Sequence, residues 1–149
     1  MIEISDIKKI CISVGEILGK GYNECIYQEG IALFLRKASI DYSKEVNLSV
    51  KIDDIIIGNV RADIVIPSEQ IIIECKAIDG NLKLSHIPQL IKYLKITNYK
   101  KGVFVNFNQN PSKPTVELIE IYLENNLYKI KFDNDNDTIY CMNDKGLNC

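Results

Sequence analysis

Residues Val60–Ile78 read VRADIVIPSEQIIIECKAI, with two β-branched runs, Ile64-Val65-Ile66 and Ile71-Ile72-Ile73, on either side of Pro67-Ser68-Glu69-Gln70. Branched side chains suit the pleated, packed surface of a strand, and the Pro-Ser segment supplies turn chemistry. The pattern therefore predicts two strands joined by a tight connection. An unbroken isoleucine triplet, without polar alternation, marks a strand covered on both faces. Asp63, Glu74 and Lys76 stand against that apolar background. Strand side chains alternate, so Glu74 and Lys76 share one face while Ile73, Cys75 and Ala77 share the other; hairpin pairing brings Asp63 alongside the first. A Glu and a Lys two apart are common on a solvated strand face. At the end of a doubly covered strand, however, two carboxylates and an ammonium are costly to desolvate unless they bind something. Hard carboxylate oxygens suit Mg2+, and a neighbouring lysine can steer or activate a water molecule.

The chain has 149 residues, 46% of them hydrophobic and 26% charged, which suits one domain with a full core. No apolar run approaches membrane-spanning length, and MIEISDIKKI lacks the basic and apolar regions of a secretory signal. An intracellular, cytoplasmic protein with no membrane partner is expected. The five cysteines (Cys11, Cys25, Cys75, Cys141 and Cys149) are scattered and form no CxxC pair. Neither zinc nor a disulfide framework is expected from them, and reduced thiols are the default. A formal charge of -2 excludes broad electrostatic attraction to nucleic acid but leaves room for a local basic track.

Outward to the N-terminus, residues 5–18 follow a helical period through Ile7, Ile10, Cys11, Val14, Ile17 and Leu18, with Ser5 as N-cap. Gly19-Lys20-Gly21 breaks that helix, and Asn23 caps a second one running to about Ala38. Glu24, Tyr27 and Gln28 lie near one another on it, because residues three and four apart share a face. Glu24 has two readings, a carboxylate complementing the helix dipole or an extra ligand to metal or water, and the residues leave both open. From Tyr42 to Ile57, alternation predicts two more strands, Val46 to Val50 and Ile55 to Ile57, about an Asp53-Asp54 turn.

Outward to the C-terminus, a helix is expected over about Ser85–Thr97, with Ser85 as cap and Pro88 in the first turn. Ile87, Leu90, Ile91 and Leu94 form its buried stripe, while Gln89 and Tyr93 share another face, either as a polar rim or as contacts to a site. Lys92, Lys95, Lys100 and Lys101 add positive charge nearby, for which a solvated face is the ordinary explanation. His86 is the only histidine and suits a polar role at the helix start. Gly102–Phe107 reads as a buried strand. Residues 115–123 read as an edge strand or a short helix. Tyr128–Phe132 and Thr138–Met142 suggest a terminal hairpin around Asn134-Asp135-Asn136-Asp137, and the closing NDKGLNC is expected to be loose.

The order α-α-β-β-β-β-α-β carries Gly19-x-Gly21-x-x-Glu24-x-x-Tyr27, Arg61-Ala62-Asp63, Glu74-Cys75-Lys76-Ala77, Gln89-x-x-x-Tyr93-Leu94 and Val105-Asn106-Phe107. This ordered set resembles the GxxExxY protein family of the PD-(D/E)XK nuclease superfamily over about residues 5–123. The Gln89-x-x-x-Tyr93 pair is similar to the corresponding motif of RecB-type nucleases. The family usually carries a histidine where this chain has Gly15, and residues 124–149 fall outside the usual match.

The resemblance implies an α/β (α+β) restriction-endonuclease-like core, a central mixed sheet flanked by helices; the residues beyond the match add a C-terminal β-hairpin extension at 124–149, and a single domain over 1–149 is expected. It implies a metal-dependent nuclease acting on nucleic acid, with DNA as the expected substrate and Mg2+ as cofactor, for which Mn2+ substitutes. Asp63, Glu74, Glu24 and the Cys75 carbonyl would bind the metal; Lys76 would position or activate the attacking water; Gln89 would orient the reacting groups. Tyr93, Tyr27, Lys92 and Arg61 would contact substrate. A homodimer would let one small domain address two strands. The alternative is an inactive nucleic-acid-binding or protein-assembly module on the same fold.

Overall fold

The structure, a computed structural model, describes residues 1–133 and 135–149. Its spine is a seven-stranded sheet in the order β1-β2-β3-β4-β5-β6-β7. The strands are β1 (Ser43–Ile52), β2 (Ile55–Ile66), β3 (Ile71–Lys76), β4 (Lys101–Phe107), β5 (Val116–Glu124), β6 (Leu127–Phe132) and β7 (Asp135–Met142). Only β3 and β4 run parallel, and they are joined through helix α3 (Ile87–Thr97), the crossover that a parallel pair requires. Helices α1 (Ile4–Leu18) and α2 (Glu24–Lys37) cover the opposite face. The architecture is α+β with a restriction-endonuclease-like core.

The double burial expected for the central hairpin is present. Ile64, Ile66, Ile71 and Ile73 pack with α1 and α2, whereas Val65 and Ile72 pack with α3. Ile87, Leu90, Ile91 and Leu94 form the expected stripe of α3, each fully buried. On α1 the stripe runs through Ile7, Cys11 and Val14, but Ile17 leaves it and is 70% exposed. Gly15 lies where α1 crosses the start of β5: a Cβ there would meet Val116 at 2.5 Å. α1 therefore approaches β5 closely at Gly15.

Several expectations are corrected. Ser5 does not cap α1. Glu3 does, in a reciprocal box with Asp6, whose carboxylate accepts the Glu3 N–H at 2.8 Å. Residues 55–57 and 64–66 belong to one continuous twelve-residue strand, so three strands precede α3, not four. Ser85 lies inside a 3-10 turn, Leu84–His86, where His86 Nδ1 accepts the Lys83 N–H and so closes the turn before Pro88. Residues 116–124 form a strand, and it is interior, because Asn125 and Asn126 adopt φ of 53° and 63° and fold β6 back onto it. The expected connection at 134–137 begins at Asn134, which lies outside the described residues, and Asp135–Asp137 already belong to β7.

The closing segment is not loose. Cys141 and Cys149 form a disulfide, which corrects the expectation of reduced thiols at these two positions. Asp144 pairs with Lys95 at 2.8 Å, and its carbonyl accepts from Lys92 at 3.0 Å, so the tail is held against α3. No helix among the described residues is long and apolar enough to cross a membrane.

Gly15→Ala tests the α1–β5 approach. Displacing the stiff Val116 side chain costs about 1–3 kcal/mol, against about 1 kcal/mol gained in helix propensity. A net loss of about 1 kcal/mol is expected in urea denaturation, and a gain in stability would show that the crossing has slack.

Candidate active site

The ladder between β2 and β3 pairs Ile66 with Ile71, Val65 with Ile72 and Ile64 with Ile73, and then stops. At the next rung the side chains take over. The Asp63 N–H donates to Glu74 Oε1 at 2.8 Å, and the Cys75 N–H donates to Asp63 Oδ2 at 2.8 Å. Beyond this point β2 continues with β1, and β3 continues with β4 as far as the Lys76–Asn106 pair. The sheet forks, and two carboxylates sit in the crotch. Gln28 on α2, only 6% exposed, steadies the fork by donating Nε2 to the Asp63 carbonyl at 3.1 Å.

β2 also rolls over here. Val60 and Ala62 pack with the α3 core, while Ile64 and Ile66 pack with the α1–α2 core, so simple alternation fails across Asp63. In β1 the residue between the partners of Ala62 and Ile64 is Glu45, whose φ of 51° marks the kink on that side.

Glu24 reaches the fork through the Gly19-x-Gly21 turn. Both glycines have positive φ, 66° and 107°, a conformation that other residues adopt at a cost, and the turn delivers Asn23 as N-cap and Glu24 as the first helical residue. Tyr27 locks the turn. Its hydroxyl donates to the Gly19 carbonyl at 2.7 Å and accepts from Gln109 Nε2 at 3.1 Å, and its ring stacks on Phe107 at 4.4 Å. Gln109 also accepts the Gly21 N–H at 2.7 Å and donates its own N–H to the Ile78 carbonyl at 3.0 Å. Through its side chain and its main chain together, Gln109 ties the start of α2 to the segment after Lys76. Asn106, fully buried, holds the same segment through the Ile78 N–H at 3.0 Å and the Gly80 carbonyl at 2.9 Å.

The electrostatics are those of a buried acidic cluster. Glu74, 3% exposed, has its carboxyl pushed up to about 8, first by burial and then by the neighbouring Asp63 carboxylate. Asp63 is raised mainly by burial, against the Cys75 N–H and Lys76, with Glu45 adding repulsion. Glu24 is raised by burial and then by Asp63, with Lys76 pulling the other way. Lys76 is in none of the ion pairs found among the described residues. Tyr93 is raised by burial first and then by Glu74, which keeps its hydroxyl protonated, and Gln89 Nε2 donates to that hydroxyl at 2.9 Å.

Asp63, Glu74, Lys76 and Glu24 are therefore brought together, with the Gln89–Tyr93 pair turned towards them and Cys75 contributing its main chain at the fork. Other expected residues lie elsewhere. Tyr27 is fully buried and serves the glycine turn, so it offers no surface to a ligand. Lys92 is engaged with the C-terminal segment. Arg61 is exposed and pairs with Glu45 at 3.1 Å. Sequence reasoning missed Gln109, Glu45 and the bracing role of Asn106. The run Asn106-x-Asn108-Gln109-Asn110 across the end of a buried strand was the available signal for Asn106 and Gln109.

Among the described residues no three His, Cys, Asp or Glu side chains converge as a ready metal cage. The donor set still fits a hard divalent ion. Mg2+ is commonly held by one or two carboxylates and keeps several waters, and Asp63 and Glu74 supply two hard carboxylates at the fork.

A mixed sheet between two helical layers, forked around paired carboxylates and a lysine, defines the class as restriction-endonuclease-like. The sequence profile of the PD-(D/E)XK nuclease superfamily matches residues 3–119, and the chain belongs to that superfamily. β6 and β7 lie beyond the matched segment. No curated protein is significantly similar in sequence. Among solved structures, the crystal structure of SSO0001 is similar at 25% identity and a TM-score of 0.49, over 79% of this chain and 58% of that one. The present chain thus spans little more than half the length of that protein.

Glu74 gives a pH test. Its folded value of about 8 exceeds the ordinary 4.5, so between these values the folded state keeps a proton that the unfolded chain has released. Stability of the metal-free protein is fully present below the lower value and falls as pH rises through the upper one. Glu74→Gln mimics the protonated acid. In EDTA its melting temperature should match wild type near pH 5 and exceed it near pH 8.5, whereas parallel pH profiles would count against the shift.

Proposed function

We propose that the protein is a divalent-metal-dependent nuclease that hydrolyses phosphodiester bonds, with DNA as its substrate. The observation that carries this reading is the fork itself: Glu74 accepts the Asp63 N–H and Asp63 accepts the Cys75 N–H at the end of a buried hairpin, with Lys76 unpaired among the described residues beside them. Superfamily membership supports nuclease chemistry, for which divalent metals are generally used. The Gly19-x-Gly21-x-x-Glu24-x-x-Tyr27 signature supports the narrower GxxExxY assignment, as one nuclease domain over 1–149 in which residues 124–149 extend the sheet.

Asp63 and Glu74 would hold Mg2+ or Mn2+, helped by the Cys75 carbonyl and by Glu24. Such an ion supplies neutralisation of the charge that develops on the phosphate oxygens. Lys76 steers the attacking water and stabilises that same charge. Tyr93, kept protonated by its surroundings, donates a hydrogen bond towards the reacting groups, and Gln89 fixes its hydroxyl. Gln28, Asn106 and Gln109 hold these groups in place without touching substrate.

The test is cleavage of single-stranded, double-stranded and branched DNA, and of RNA, by purified protein in Mg2+ or Mn2+, with an EDTA control. Lys76→Ala should reduce the rate by about 100-fold or more while leaving the thermal melt near that of wild type. An undiminished rate in that variant would remove Lys76 from the mechanism. Salt-sensitive binding with no turnover in any metal would favour the inactive binding module.

A further inference from the structure

β1 and β2 run past the body of the protein. β2 pairs with β3 only over Ile64–Ile66, whereas its ladder with β1 runs from Ile55 to Val65, so beyond the fork the two strands have only each other. Near the fork one face of this ribbon is covered, since Val46, Leu48 and Val60 pack with the α3 core. Towards the tip the cover ends. Asp53 and Asp54, with φ of 50° and 63°, make the two-residue turn. Around it Ile52, Ile55, Ile56 and Ile57 are 60%, 67%, 58% and 59% exposed. Single exposed isoleucines are ordinary on a protein surface, but four gathered at one projecting tip, on both faces of a ribbon, are not.

We propose that this tip is a self-association surface and that its occupant is the same tip of a second copy of the chain. A two-fold axis brings a patch against itself, so the patch must be self-complementary. Isoleucine against isoleucine meets that condition. The charges at the rim meet it too. Lys51 stands beside Asp53 and Asp54, and none of the three joins an ion pair found among the described residues. Turned about a two-fold axis, Lys51 of one copy faces the Asp53-Asp54 turn of the other. An apolar centre with a charged rim is the ordinary layout of a protein interface. A nucleic acid fits the tip less well, because its phosphates would meet the two aspartates first. β1 is also an edge strand, so its outer main-chain groups are open to a partner strand. The ribbon is rooted at Asp63, so pairing of two tips fixes two forks relative to each other. The inference rests on the ribbon alone and not on the nuclease reading.

The test is molar mass by light scattering and sedimentation velocity on the full chain, in EDTA and without nucleic acid. Wild type should show about twice the 17.0 kDa chain mass in the micromolar range. Ile52→Thr, Ile55→Thr, Ile56→Thr and Ile57→Thr together keep β-branching and should give the single-chain mass with an unchanged circular dichroism spectrum. Asp53→Asn with Asp54→Gly keeps the turn geometry while removing the acids, and should weaken the dimer by about tenfold. A wild-type protein that stays at the single-chain mass would overturn the proposal, as would a dimer that survives the threonine changes. If wild type is monomeric and the threonine variant loses binding to a DNA duplex, the tip grips nucleic acid and self-association is wrong.

Discussion

The exchange of main-chain donors at the fork is the constraint on which the site depends. Where a normal ladder would continue, Asp63 takes the N–H of Cys75 and Glu74 takes the N–H of Asp63. Each carboxylate is thereby positioned by the backbone of the opposite strand, with no long side chain left to choose a rotamer in solvent. Two strands can then part without leaving buried donors orphaned, since an unmet buried N–H costs about 1–3 kcal/mol. The fork is stable only with acids in its crotch, and the acids are close only because the fork exists.

Parting strands need bracing from outside the hairpin. α2 supplies Gln28 on one side, and the loop after Lys76 is held by Asn106 and Gln109 on the other. Gln109 also reaches the glycine turn that launches Glu24, so both acidic strand residues and the helical one are anchored to a common frame. The arrangement works against stability when no cation is present. Burial raises all three carboxyls, the Asp63 charge adds to the rise of Glu74 and Glu24, and the metal-free fold holds a proton on Glu74 that the open chain would release.

The same fork shapes the rest of the sheet. Because β2 leaves β3 at Asp63, its outer half is free to run on with β1 as a ribbon, and the roll at Glu45 and Asp63 turns that ribbon's covered face from the α1–α2 core to the α3 core. On the far side of the sheet, β6 and β7 widen the floor beneath α3, the Cys141–Cys149 link ties the last residue to β7, and Asp144 holds the segment between them to Lys92 and Lys95 of that helix. That link was invisible to spacing arguments, because a pair of cysteines eight apart says nothing until a hairpin and a turn bring them together.

Local chemistry was written plainly in the chain. The isoleucine triplets specified doubly buried strands, the glycines a break before α2, and the i, i+3, i+4 apolar stripe the buried face of α3, since each depends on side-chain shape and period within a few residues. The motif order carried Asp63, Glu74, Lys76 and Glu24, and the fold brings them together. Tertiary structure decided the rest. Tyr27 shares a helix face with Glu24, yet only packing against Phe107 and Gly19 reveals it as a brace. Lys92 and Arg61 were drawn to partners far away in sequence or across a strand. β5 became interior through the Asn125-Asn126 turn, and Gln109 became a hub because its side-chain amide bonds Gly21 and Tyr27 while its main-chain N–H bonds Ile78. A sequence states what each residue can do with its near neighbours; which distant donor or charge it meets is settled only when the sheet closes.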